Sequence, residues 1–428
     1  MLLALFVAPA AAFCGTFVSV GDDAPTNVGS QVAVVRQGGF TTLTMANDVN
    51  GTAADFAMVI PVPEVLPEDA IHVVDPAIFA HVDAYSAPRL VAYDCDDFLE
   101  DDSDTALAAG GTDEEDSGED TDTDTTVEAQ YVVGEYEVVI LSSTESGSLV
   151  SWLQTNGYNV PSESVTMLGE YIDAGAFFLA AQVRTDAGVQ DGDTLSPLQL
   201  RYADSGGLLP IRLGTLNSPG VQDLTIFALS DSDEGSVAIS NYAEGEVETD
   251  CMLPEGVSFG DHVDGVLDAA LPTTGAAQWV EEYTWDNGNC DPCTPDGTLT
   301  EEDLASLGYA PDEHYGYNYT FTRLHVRYAP EQVTQDLLLY NTGLIEQTQL
   351  RYIEYGQELE DRFPVCGVGM VADPGSCDDV WGDGEGGDDD GDEAGDLLVG
   401  RGCGCDAGGG AGLAVGLLAL VGALRRRR

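Results

Sequence analysis

The chain has 428 residues, 43% of them hydrophobic, enough for one large core or two smaller ones and unlike a disordered polypeptide. Seventy-six acidic residues face fourteen basic ones, every one of them arginine, for a formal charge of −62. Such a balance excludes nucleic acid as a partner, because phosphate backbones need basic patches, and it predicts dependence on screening salt.

The N-terminal run Met1 to Ala12 is apolar and ends in Ala10-Ala11-Ala12, the pattern of a secretory signal cleaved before Phe13. It lacks a charged leader, which points to a start upstream of Met1. Lipidation of Cys14 is the alternative, disfavoured by the bulk of Phe13. Two β-rich runs, Gln31 to Arg36 and Phe40 to Met45, flank Gln37-Gly38-Gly39 and read as a hairpin. An apolar strand follows over Asp55 to Val62. Pro76 opens a helix through Tyr85, with Ile78, Phe79, Val82 and Tyr85 as its buried stripe.

Asp94 to Glu128 holds sixteen acidic residues and no basic one, so it reads as a disordered insertion within the domain. Order is expected to resume at Gln130, with one strand over Tyr131 to Leu141. Helices are predicted around Leu149 to Leu153 and Ser162 to Ile172. Ala176 to Val183, Leu198 to Tyr202, Leu208 to Leu216 and Val221 to Leu229 then read as an antiparallel meander. Three short helical patterns cover His262 to Ala270, Gly275 to Tyr283 and Glu301 to Leu307. Strands are expected at Tyr317 to Tyr328 and Asp336 to Tyr340. The predicted fold class is α+β, a largely antiparallel sheet with several short helices, spanning residues 13–380.

Beyond it, residues 381–401 form an acidic Gly-rich stalk. Ala407 to Leu424 carries no charge and, at about 1.5 Å per helical residue, covers roughly 27 Å, close to a bilayer's hydrocarbon thickness. Four terminal arginines, Arg425 to Arg428, place its far end on the cytoplasmic side. Gly402-Cys403-Gly404-Cys405, this apolar helix and the arginines together resemble the myxobacterial C-terminal sorting signal MYXO-CTERM. The resemblance covers residues 402–428. It implies a sorting protease acting near Cys403 or Cys405 and retention at the outer membrane or cell surface.

A second resemblance runs from about Phe13 to Leu338. It is carried by Ala12-Phe13-Cys14-Gly15, Leu43-Thr44-Met45-Ala46-Asn47-Asp48, Phe56 to Pro63, Asp83 to Leu90, Cys290-Asp291-Pro292-Cys293 and Thr322 to Tyr328. These stretches are similar to the bacterial secreted family called domain of unknown function 2330. The resemblance implies an extracytoplasmic domain, with no established activity and no catalytic residue to carry over.

The remaining chemistry is sparse. With the two tail thiols set aside, Cys14, Cys95, Cys251, Cys290, Cys293, Cys366 and Cys377 are candidates for disulfides in an exported chain. Cys366 and Cys377 flank a Gly/Pro loop suited to a local pair. Cys290 and Cys293 read first as a structural disulfide, since a loop precedes them; a redox dithiol or half a zinc site are the alternatives. No histidine sits in a metal-binding pattern. Arg323, His325 and Arg327 alternate along one strand, so they share a face, either as an anion-binding strip or paired with carboxylates. Ser86 has no nucleophile elbow around it, and no phosphate-binding glycine loop occurs. The acidic runs suit weak Ca²⁺ binding without an EF-hand pattern, and no other cofactor is expected.

The sequence is therefore read as an exported, surface-anchored, non-enzymatic envelope protein, structural or adhesive. The alternatives are an extracytoplasmic redox protein or enzyme using Cys290 and Cys293, and a calcium-dependent binding module.

Overall fold

Two sheets stacked face to face dominate the chain, because its strands bury one set of alternating side chains between them. The computed structural model describes residues 10–11, 14–19, 26–50, 56–92, 125–160, 162–184, 195–218, 220–286, 298–312, 316–360 and 362–369. The larger sheet orders its main strands 243–244, 278–286, 319–328, 222–231, 26–37, 40–50, 198–203 and 71–73. Its long neighbours pair antiparallel except at the centre, where Gln222–Asp231 runs parallel to Thr26–Gln37. The smaller sheet is fully antiparallel and ordered 16–19, 56–62, 177–183, 136–143, 125–133. Val34, Leu43, Ile60, Ile140, Leu179, Ile226 and Leu324 meet in the shared core.

Helices cover both outer faces. On the larger sheet, α1 (Ala77–Ser86) and α5 (Glu301–Ser306) bury Phe79, Val82, Tyr85 and Leu304 against Phe227, Tyr283 and Phe321. On the smaller, α2 (Ser146–Thr155) and α3 (Ser162–Asp173) set Leu149, Leu153 and Leu168 on Val59, Phe178 and Ala180. A further helix, α4 (Phe259–Ala270), packs Leu267 and Ala270 on Val280 near the sheet edge. Each fully buried Leu or Phe here removes apolar area worth about 1.5–3 kcal/mol. Local chemistry starts these helices: Ser258 accepts from the Asp261 amide, and Thr300 and Asp303 cap each other reciprocally.

Several expectations hold. The hairpin turns at Gly38 and Gly39, whose φ values of +60° and +78° suit the tight turn that joins right-twisted strands. The helices at 77–86, 146–155, 162–173, 259–270 and 301–306 lie where the apolar periodicity puts them.

Others are corrected. Tyr131 to Leu141 is two strands, Thr125–Val133 and Tyr136–Ser143, reversed at Gly134 with φ +56°. The strand Thr125–Val133 thus begins inside the stretch assigned to the acidic insertion, because Thr125, Val127 and Ala129 pair with Ser143, Leu141 and Ile140. The meander does not form. Phe177–Val183 belongs to the smaller sheet, Leu198–Ala203 and Gln222–Asp231 to separate places in the larger, and Leu213–Asn217 is a 3₁₀ turn. Short spacing signals turns but does not say which sheet each strand joins. Residues 275–283, read as helical, contribute to the strand Gln278–Asp286. Its Trp, Val, Tyr and Thr side chains favour a pleated surface, and pairing with Tyr319–Tyr328 overrides a short helical period.

The stretches read as a C-terminal sorting tail and an acidic stalk, most of the expected acidic insertion, Cys377 and the segment carrying Cys290 and Cys293 lie outside the described residues. Of the N-terminal stretch read as a secretory signal, only Ala10–Ala11 is described, paired in parallel with Gln222–Asp223. Among the described residues no helix is long and apolar enough to cross a membrane.

Candidate functional site

The strand Tyr319–Tyr328 does place Arg323, His325 and Arg327 on one face, the outer face of the larger sheet. Its opposite face gives Leu324, Val326 and Tyr328 to the inter-sheet core. Carboxylates from four elements meet the three cations. Asp83 from α1 accepts from Arg323 Nη1 at 2.7 Å, and Glu282 accepts from Arg323 Nε at 2.5 Å. The His325 ring reaches Glu282 through Nδ1 and Asp223 through Nε2, both at 2.8 Å. Arg327 donates to Asp223 at 2.6 Å and pairs with Asp268 of α4.

The result is a ladder of alternating charge, Asp83, Arg323, Glu282, His325, Asp223, Arg327, Asp268. Its centre is sealed: Glu282 is 1% exposed. A β-bulge makes this possible. Pairing with Tyr319–Tyr328 slips between Glu281 and Tyr283, so Glu282 turns toward Arg323 and His325 while its neighbour Tyr283 packs on Tyr85 and Phe321. Burial alone would raise the Glu282 carboxyl. The Arg323 charge, with the hydrogen bonds and charge of His325, outweighs that and pulls it down to about 2. Burial alone would lower His325. Hydrogen bonds to Asp223 and Glu282 and their charges raise it to about 9, so it is an imidazolium donating through both nitrogens. Four carboxylates against three cations leave the strip net negative, which repels an external anion.

Other sequence candidates resolve differently. Ser86 donates to the Val82 carbonyl at 2.6 Å at the end of α1, a packed helix terminus. His81 joins α1 to α5 through Asp303 at 2.9 Å. Cys14, a candidate for cross-linking, is a fully buried free thiol, and burial with the nearby Asp336 pushes its pKa up. Cys366 does not pair locally with Cys377. It bonds to Cys251, 115 residues away, with the two Cα atoms 5.0 Å apart. The short strand Cys251–Met252 lies beside Arg351–Ile353, and Cys366 N donates to the Met252 carbonyl at 2.9 Å, so backbone pairing brings the two cysteines together. His262 of α4 stands beside the bond, its ring edge-on to Tyr352. Burial lowers its pKa, keeping it neutral.

A site that no motif announced lies at the tip of the first hairpin. There a pocket of about 460 Å³ is lined by Arg36, Phe40, Asp204, Glu234, Tyr340 and Asn341, among others. Its polar wall is a continuous chain. Arg36 donates to Asp204 at 2.9 Å and to Asn341 Oδ1 at 2.5 Å, and Asn341 Nδ2 donates to Glu234 at 2.5 Å. Two aromatic rings stand at the rim, Phe40 39% and Tyr340 46% exposed. The Arg201 guanidinium lies 3.8 Å from the centre of the Phe40 ring. Leu208 and Leu338, opposite each other across Leu208–Leu209 and Leu337–Asn341, are exposed as well. The close approach that shapes this wall needs glycine: Gly207 has φ +76°, and a Cβ there would lie 1.9 Å from the Leu339 carbonyl oxygen.

The bacterial family described as "Uncharacterized protein conserved in bacteria (DUF2330)" matches residues 8–340. The chain belongs to that family. Comparison with curated proteins and with solved structures gives no match. The matched residues include both sheets, the ion-pair ladder and most of the hairpin-tip pocket, whereas Cys366 lies beyond them. Sequence reasoning named the cations of the ladder but missed Glu282, Asp223 and the pocket. The alternation of Arg323, His325 and Arg327 is local, whereas Glu282 reaches them from 41 residues away and Asp223 from 102, and the hydrogen bonds of the pocket wall span 107 to 305 residues.

Proposed function

We propose that this member of the DUF2330 family is an exported envelope protein, held at the outer membrane or cell surface by its C-terminal tail, whose folded domain binds a neutral saccharide in the hairpin-tip pocket. The observation that carries this reading is the pairing of exposed Phe40 and Tyr340 with the hydrogen-bonded wall of Asp204, Arg36, Asn341 and Glu234. Aromatic rings suit the apolar C–H faces of a sugar ring, and planar amide, guanidinium and carboxylate groups suit its hydroxyls. The pocket carries two acids against one arginine on a chain of charge −62, which opposes anionic ligands. The apolar N-terminus and the arginine-ended tail support the location. An adhesive or structural role at the envelope follows if the saccharide belongs to a neighbouring cell or to the surrounding matrix.

Affinity electrophoresis of the purified protein through gels cast with neutral polysaccharides tests the reading. Retardation by at least one of them, weakened at least tenfold by Tyr340→Ala, is expected. Unchanged mobility in glucans, mannans and galactans alike would overturn it.

A further inference from the structure

Three donor side chains converge where the sequence shows no metal motif. Cys251, His262 and Cys366 place a ring nitrogen and two sulfurs within 4.8 Å of one another. They come from a short strand, the first turns of α4 and a tight C-terminal turn. The Nε2 atom of His262 is sealed from solvent and has no hydrogen-bond partner among the described residues. A cross-link that serves only to tie two segments needs no third donor beside it, and an orphaned buried nitrogen calls for a physical reason.

We propose that these residues form two alternative centres: a disulfide when oxidised, and a binding site for a thiophilic divalent cation such as zinc when reduced. Reduction by a small dithiol breaks the Cys251–Cys366 bond, leaves a thiol on each cysteine and forms a disulfide in the reductant. The cation then displaces one proton from each thiol. Its ligands are two thiolates and the neutral imidazole, with the fourth position taken by water or a carboxylate. Tetrahedral zinc with Zn–S bonds of about 2.3 Å holds its sulfurs roughly 3.8 Å apart, too far for a bond between them, so the cation and the disulfide exclude each other.

The frame around the site does not rely on the covalent bond. Met252 N donates to the Pro364 carbonyl at 2.8 Å and Cys366 N to the Met252 carbonyl at 2.9 Å. His262 N donates to the Ser258 carbonyl at 3.0 Å, within a helix capped by the Ser258 side chain. Glu248 holds the turn after Cys366 by accepting from the Gly367 amide at 2.8 Å. Exchange with a small-molecule disulfide, which accepts the two electrons and leaves as two thiols, re-forms the Cys251–Cys366 bond and releases the cation, so occupancy reports the thiol–disulfide balance of the compartment.

Cobalt(II) titration of the reduced, desalted full-length chain under anaerobic conditions tests the proposal. Cys290→Ser/Cys293→Ser is used as the background, to remove the thiols of the C-x-x-C sequence. One Co²⁺ per chain, with thiolate-to-cobalt charge transfer and tetrahedral ligand-field bands, is expected, and neither signal from the oxidised protein. Adding Cys251→Ser should abolish the charge-transfer band, and His262→Ala should weaken binding at least tenfold in a chain that circular dichroism shows to be folded. Absence of the band in the reduced protein, its survival in Cys251→Ser, or equal affinity in His262→Ala would overturn the proposal. So would a reduced chain that stays unfolded in saturating Co²⁺.

Discussion

Replacing His325 by glutamine should remove the alkaline limb of this protein's stability curve. In the folded state His325 is raised from an ordinary value of 6.5 to about 9, since its hydrogen bonds to Asp223 and Glu282 outweigh burial. A shift of that size corresponds to about 3 kcal/mol. A raised folded value means the stabilisation is fully present below pH 6.5 and lost as pH rises through 9. Glu282 is displaced the opposite way, from 4.5 to about 2, so its contribution is complete above pH 4.5 and lost as pH falls toward 2. The ladder is therefore at full strength between about pH 4.5 and 6.5. The two shifts describe the same contacts from either side and are not summed. Guanidinium or urea unfolding at constant NaCl, stepped from pH 5.5 to 9.5, should show the native chain losing about 3 kcal/mol. Stopping below pH 10 keeps the buried tyrosines, whose pKa values are raised, out of the measurement. His325→Gln should be less stable at pH 6 and nearly flat with pH. A variant that keeps the native slope would refute the reasoning, because the slope would then arise elsewhere.

Glu282→Gln should destabilise by about 3–5 kcal/mol, the range for breaking a buried ion pair, because it leaves Arg323 and His325 facing an uncharged amide. Chemical unfolding at pH 6 measures it, and a loss below about 1 kcal/mol would show that water relaxes into the site. The glycines at the hairpin-tip pocket should separate two effects. Gly39→Ala, with open space around its Cβ and φ +78°, should cost about 1–2 kcal/mol, the left-handed backbone penalty alone. Gly207→Ala adds a backbone collision with Leu339 and should cost clearly more, and equal melting temperatures for the two variants would contradict the wall geometry.

Local patterns were legible where one side of an element decides its fate. The apolar stripe of Ile78, Phe79, Val82 and Tyr85 marks α1, and Gly38-Gly39 marks its hairpin, because the 3.6-residue period and the positive φ are properties of a few adjacent residues. Gln278–Asp286 was misread because its residues carry a weak helical period, and only the long pairing with Tyr319–Tyr328 selects the strand. The same pairing creates the bulge that aims Glu282, so the central acid of the ladder could not be recognised before the register was known. The Cys251–Cys366 bond was invisible for a similar reason: its partners meet through backbone hydrogen bonds across a 115-residue separation.

By itself the sequence determined the α+β character, the helices, the shared face of Arg323, His325 and Arg327, and the resemblance to a family that the match over residues 8–340 establishes. The tertiary structure alone decided that two sheets form a sandwich clad in helices, which carboxylates neutralise that face, which cysteine joins Cys251, and that Arg36, Asp204, Glu234 and Tyr340 share a pocket. Periodicity and turn chemistry act over a few residues and survive in the one-dimensional order. Strand register and partner choice are set by burial summed over segments far apart in the chain, and they exist only once the chain has folded.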